Sequence, residues 1–397
     1  MRALALITCF LFVCTGCTKS DNTNKTPSLS SLSVGNVSQI RSGTATTTFR
    51  FAIDVNPVNT KDITVDYTTK DGTAISGKDY TAVSGTLTIP AKTYSGYIDV
   101  IVTADSLRQD DQTFTLELSS PVNATLSATQ ATGTIQNTGT YMPIDNAGYT
   151  SASSYSGMTL AWSDEFNGKT LNTSSWTYET GGNGWGNNEL EYYTNSVKNT
   201  FLTGGYLVIE ARQETIGTNN YTSARLKTED KKTFTYGRID IRAKLPKGQG
   251  LWPALWMLGN NISQSGYAWP ACGEIDIMEL LGQDYQRVYS TVHWGQANSS
   301  FHDSKGGNYT LTSGNFYDTF HVFSMQWDTS KMVFLIDDYT IFTVNKSDMT
   351  TGTYPFDKPF FFIFNVAVGG AWPGNPNSST PFPQRMIVDY VRVFQVL

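Results

Sequence analysis

Short runs in which apolar and polar residues alternate recur along most of this chain, separated by clusters of Gly, Asn, Asp, Ser and Thr. A period of two sends successive side chains to opposite faces of a strand, so the pattern predicts strands with one buried face rather than helices. Between residues 31 and 138 such runs fall at 47–53, 63–69, 85–90, 96–102 and 113–118. Short β-branched strands between turn residues read as a β-sandwich. A second series starts near residue 158 and includes 236–245, 250–259 and 273–279. The stretch 139–157, polar and rich in Ser, Thr, Tyr and Gly, reads as a flexible linker. With 397 residues the chain is long enough for two domains, each with its own core.

One strand carries more chemistry than the rest. In Gly273-Glu274-Ile275-Asp276-Ile277-Met278-Glu279, Glu274 and Asp276 share a face, while Ile275 and Ile277 point into a core. Glu279 has the wrong parity. Burying a lone carboxylate costs several kcal/mol, so a bulge around Ile277 and Met278 is expected to return Glu279 to the acidic face. Three neighbouring acids cannot ionise with equal ease, and separating their pKa values is how one becomes a proton donor and another a nucleophile. Just upstream, Trp252 and Trp256 stand four apart on a strand and share a face. Flat rings suit the apolar faces of pyranoses, so carboxylates between them fit glycosidic chemistry.

Composition narrows the partner. Charged residues are 16 % of the chain, the net charge is −6 and no basic run occurs, which argues against nucleic acid and for a neutral polysaccharide. His293, His302 and His321 are too dispersed in sequence for a metal-ligand motif. His293 is expected on the strand after the acidic one, within reach of substrate.

Residues 158–397 resemble family 16 glycoside hydrolases of the laminarinase type. The stretches that carry the resemblance are 162–168, 184–194, 221–228, 252–259, the acidic strand, 365–374 and 388–394. It implies an all-β, concanavalin-like jelly-roll sandwich that cleaves β-glucan with retention. Glu274 would be nucleophile, Glu279 acid/base and Asp276 their modulator. Retention needs carboxyl groups about 5 Å apart, which one strand face can supply. The resemblance also implies substrate contacts from Trp185, Asn187, Arg225 and Trp372, besides Trp252, Trp256 and His293. No cofactor is expected for catalysis. A structural calcium ion would sit among Glu165, the backbone at Gly205 and Asp389, oxygen ligands of the kind calcium takes.

Residues 31–138 resemble a Calx-beta domain, an Ig-like sandwich. The matching stretches are 71–74, 77–80, 110–114 and 131–135, while Asn137-Thr138 stands where an acidic pair is usual. Solvated turn acids are therefore the expectation here rather than calcium ligands, and the module reads as a spacer or contact domain.

At the N-terminus, Arg2 and the apolar run from Ala3 to Val13 read as an export signal, too short to span a membrane. Val13-Cys14-Thr15-Gly16-Cys17 resembles a bacterial lipobox, which implies cleavage after residue 16, lipidation of Cys17, and a tether over 17–30. The mature protein would then be a monomer held by its lipid at an outer membrane or cell surface, with Cys272 unpaired.

The expected activity is endo-cleavage of β-1,3-glucan. Mixed-linkage glucan or a marine galactan is the alternative within the enzyme class. A non-catalytic glucan-binding or adhesion protein is the alternative outside it.

Overall fold

The computed structural model describes residues 29–139, 141–297, 300–350 and 352–396. The export signal, Cys17 and nearly all of the tether lie outside the described residues. Among the described residues, apart from a 3-10 turn at Lys346–Asp348, every regular element is a strand. Contacts separate two units, one of residues up to 104 with 111–136, the other of residues 105–110 with 137–397.

The first unit is a sandwich of a four-stranded and a five-stranded sheet. Strand Thr47–Asn56 shows how the alternation works, since Phe49, Phe51, Ile53 and Val55 are buried and the residues between them are largely outside. Phe114 is the centre of this core, stacked on Tyr80 at 4.5 Å, tilted against Phe49 and edge-on to Phe51. Gly133 faces it across the ladder, where a Cβ would stand 2.4 Å from the Phe114 ring.

The second unit packs two eight-stranded sheets face to face around one large apolar core. One sheet runs in the order 177–179, 225–227, 360–368, 251–259, 274–280, 287–295, 302–310, with the short strand 233–234 also paired to 360–368. Strand Phe360–Val368 is buried along its whole length, with Phe360, Phe362, Phe364, Val366 and Val368 in the sandwich core. Its other face, continued by the neighbouring strands, forms the floor of a cleft. The second sheet is centred on Gln384–Val396 and Gly237–Lys244.

Strand Gly237–Lys244 departs from the expected alternation, because Arg238, Asp240 and Arg242 on its polar face are buried as deeply as the apolar residues between them. The stretch 139–157 is the reason, and its expected role as a flexible linker is corrected. Its described residues belong to the second unit and supply polar partners to that face. The Tyr155 hydroxyl donates to Asp240 at 2.7 Å, and the Arg242 guanidinium donates to the carbonyls of Tyr149 and Asn146 at 2.6 and 2.7 Å. The backbone N–H of Ser151 donates to the Tyr390 hydroxyl at 2.9 Å. Buried charge is tolerable only when hydrogen-bonded in this way.

Phe114 is hemmed by three other aromatic rings, so it cannot yield to a methyl group at position 133. Gly133→Ala should therefore destabilise the first unit by about 1–3 kcal/mol, as overpacking does. Urea unfolding of the two proteins checks this, with an unchanged midpoint as the contrary result.

Candidate active site

The acidic strand Glu274–Leu280 lies between Leu251–Gly259 and Arg287–Gly295. Against the first, Glu274 pairs with Leu258, Asp276 with Trp256 and Glu279 with Ala254, and the register shifts by one between Asp276 and Met278. Ile277 is the residue left without a partner on that side, while Met278 stays paired with Leu255. On the other side Glu274, Asp276 and Glu279 pair with His293, Thr291 and Tyr289, across the same shift. The expected bulge is present. Ile275, Ile277, Met278 and Leu280 all go to the core, and all three carboxylates go to the cleft. The buried Ser290 hydroxyl donates to the Ile277 carbonyl at 2.8 Å, satisfying an acceptor at the irregular step.

The cleft has a volume of about 590 Å3 and gathers Trp185, Asn187, Arg225, Trp252, Trp256, His293 and Trp372 around the three acids. Every residue expected to touch substrate is thus brought to one place. Their exposure differs in ways the sequence does not announce. Trp252 Nε1 donates to Glu279 Oε1 at 3.0 Å, aiming that carboxyl. The Arg225 guanidinium lies over the rings of both Trp185 and Trp256, at 4.8 and 4.9 Å, so one face of each is already covered. Trp372, set edge-on to Trp252 and Tyr289, is 41 % exposed and keeps a free surface.

Sequence reasoning missed several members. Trp269, 44 % exposed, donates its indole N–H to Glu274 Oε2 at 2.8 Å. His302 packs against Trp269, and its Nε2 lies 2.9 Å from Nδ1 of His293. Glu189 and Asn365 begin a buried polar chain behind the platform. Trp256 Nε1 donates to Asn365 Oδ1 at 2.8 Å, and Asn365 donates to the Tyr193 hydroxyl at 3.0 Å. That hydroxyl donates to Glu189 at 3.0 Å, whose other oxygen takes the Asn187 amide at 3.1 Å. Beside it, fully buried Glu191 accepts from the Val368 N–H at 2.6 Å. Burial and the neighbouring Glu189 hold Glu191 well above the usual carboxyl range.

The same physics acts on the three cleft acids. Burial, then repulsion from Asp276, pushes Glu274 up to about 8, and burial pushes Asp276 up to about 8. Glu279 is raised well above its ordinary range by burial, and further by both other carboxylates. Glu274 has the most help in carrying charge, from His293, the Trp269 N–H and Arg225. His293 Nε2 lies 3.2 Å from Asp276 Oδ2 and 3.9 Å from Glu274 Oε1. The 3.2 Å approach is not aligned as a hydrogen bond, and buried Asp276 Oδ2 has no hydrogen-bond partner.

The side chains expected around calcium are engaged by arginines in this structure. Both oxygens of Glu165 are forked by Arg392 at 2.9 and 2.7 Å, and Asp389 is bonded to Arg242 at 2.7 Å. Gly205 turns the chain before Tyr206–Ala211 and has the Asn167 amide oxygen beside it. In the first unit, Asp71 accepts from the Tyr80 hydroxyl and the Ser76 N–H, and buried Asp79 accepts from Arg41 and Gln112.

Comparison with known proteins agrees with both halves of the chain. The Calx-beta domain pattern matches residues 36–139. A beta-glucanase from Rhodothermus marinus is 41 % identical over 244 residues, covering 59 % of this chain and 85 % of that protein. Glucan endo-1,3-beta-glucosidase A1 from Niallia circulans is 42 % identical over 264 residues, covering 60 % of this chain and 38 % of its own length. The laminarinase catalytic domain from Thermotoga maritima superimposes with a TM-score of 0.56 at 46 % identity, over 60 % of this chain and 99 % of that one. The pattern of glycosyl hydrolases family 16 matches residues 187–392, more than half the chain, and the protein belongs to that family.

Proposed function

We propose that the second unit is an endo-β-1,3-glucanase of the laminarinase type that acts with retention. The observation that carries this is the single acid face of the bulged strand, set in a tryptophan-lined cleft. In this reading the Glu274 carboxylate attacks the anomeric carbon while Glu279 gives its proton to the departing oxygen. Glu279, deprotonated, then takes a proton from water, whose oxygen attacks the same carbon and releases Glu274. Asp276 stands between the two and repels charge on Glu279, which favours the proton there. Trp372 and Trp269 offer free ring surface to sugar, Trp252 orients the acid, and Arg225 and Asn187 supply polar contacts.

Glu274→Gln and Glu279→Gln should each lower kcat on laminarin by about 10³-fold or more, with the fold retained. The wild-type acidic limb of kcat/KM should lie above 4.5, an unperturbed glutamate's value, because Glu274 must ionise. Stability moves the other way. Carboxyls whose folded pKa is raised bind more protons when folded, so their contribution is full at low pH and is lost as pH rises through about 8. Glu274→Gln should therefore melt above the wild type, by a margin that widens between pH 6 and 9; a margin that shrinks would contradict the buried-acid account.

The bulge makes a sharper demand. Deleting Ile277 restores regular alternation and leaves Glu274, Asp276 and the former Glu279 on the cleft face, so weak hydrolysis should survive. Inserting Ala after Met278 turns Glu279 toward the core and should abolish it. Laminarin hydrolysis by both variants, with circular dichroism to confirm folding, decides; an active insertion beside an inactive, folded deletion would refute the register argument.

We also propose that the mature chain is exported and held at a bacterial outer membrane or cell surface by a lipid on Cys17, as the Val13–Cys17 motif suggests. Cys17→Ala should move the protein from the membrane to the soluble fraction. Persistence in the membrane pellet would overturn the anchor.

A further inference from the structure

We propose that the acid face of the cleft is also a binding site for a divalent transition-metal ion of zinc-like ligand preference, held by Glu274, Asp276 and His293, and that its occupancy shuts the enzyme reversibly. One ligand atom from each of the three lies within 4.8 Å of the others. Two ligands about 2.1 Å from a tetrahedral ion stand about 3.4 Å apart. The distances from His293 Nε2, 3.2 Å to Asp276 and 3.9 Å to Glu274, bracket that spacing.

Two further observations point to a ligand rather than to acids that merely neighbour one another. Asp276, 3 % exposed, aims Oδ2 into the cluster with no hydrogen bond on it, and a buried acceptor left so is costly. His293 is already oriented as metal-bound histidines are. Its Nδ1 is held by His302 at 2.9 Å, and Trp269 packs on His302, which turns Nε2 toward the carboxylates. Glu274 and His293 are a directly opposed cross-strand pair, so the rigid sheet fixes their spacing. Both side chains are about one-fifth exposed, leaving a path from the cleft. An imidazole beside two carboxylates favours zinc, copper or nickel over calcium or magnesium. A bound ion would neutralise Glu274 as a nucleophile, and sugar would compete with it for the same space.

The inhibition half of this proposal rests on the hydrolase reading, and the binding half does not. Zinc titrated calorimetrically into the chelator-treated full chain should bind at one site per chain. His302→Phe, which removes the partner of the ligand histidine, should weaken binding about tenfold, and His293→Gln should weaken it more. Zinc should inhibit laminarin hydrolysis competitively, with full recovery on adding chelator. Absence of stoichiometric binding to the wild type, or binding unchanged in both variants, would overturn the proposal while leaving hydrolysis without metal intact. Should a variant fail to fold, zinc binding to the wild type that laminarin oligosaccharides do not displace would overturn it equally. Zinc binding to a chain that cleaves no glucan would instead sink the hydrolase reading.

Discussion

A regular strand cannot keep residues five apart on one face, and the cleft depends on how the chain resolves that conflict at Ile277. One unpaired residue re-aims everything after it. It sends Glu279 to the side of Glu274 and Asp276, and it places Ile277 and Met278 together in the core, both essentially buried. The irregular step needs a hydrogen-bond donor, and Ser290 on the next strand provides it. Small Ala254 faces Glu279 across the ladder, leaving room for the Trp252 indole to reach that carboxyl from two positions away. Acid placement, core packing and ring orientation are therefore one solution rather than three.

Holding three neighbouring carboxyls in one half-buried cleft is unfavourable for the fold, and the surroundings show how the molecule sustains it. The floor is backed by a strand with no exposed residue, Phe360–Val368, and by the buried chain from Trp256 through Asn365 and Tyr193 to Glu189. Satisfied polar networks of this kind fix a unique arrangement where apolar packing alone would leave side chains free to rotate. Buried Glu191 ties the 187–191 segment to the end of strand Phe360–Val368 through the Val368 N–H. The rings and Asn187 are thereby held in place before sugar arrives, which lowers the ordering cost of binding.

What was legible in the sequence follows from locality. The bulge could be read because the parity conflict and its resolution lie within six residues. The pairing of Trp252 with Trp256 could be read for the same reason, but not that Arg225 covers Trp256, since the two are 31 positions apart and meet only through the sheet. Trp269 and His302 sit in separate segments whose local pattern says nothing of the cleft, and the His293–His302 contact looks from spacing alone like two scattered histidines. Nor does local pattern show that Glu165 and Asp389 each meet an arginine, since Arg392 and Arg242 are brought to them by the register of distant strands.

The misread linker is the same failure seen from both ends. Residues 139–157 have the composition of a loop, and Arg238, Asp240 and Arg242 have the spacing of a solvent-facing strand, so each half looks complete without the other. Brought together they form a covered polar layer in which Tyr155 and Ser324 both donate to Asp240. Arg238 adds an ion pair to Asp240 at 2.9 Å and lies over the Tyr155 ring. A module cut at residue 158, where the sequence resemblance begins, would strip Tyr155 from Asp240 and the Asn146 and Tyr149 carbonyls from Arg242, leaving Ser324 and Arg238 on the one and Asp389 on the other. Polar composition marks what a segment can bond to as much as its readiness for solvent, and only the partner strand tells the two apart.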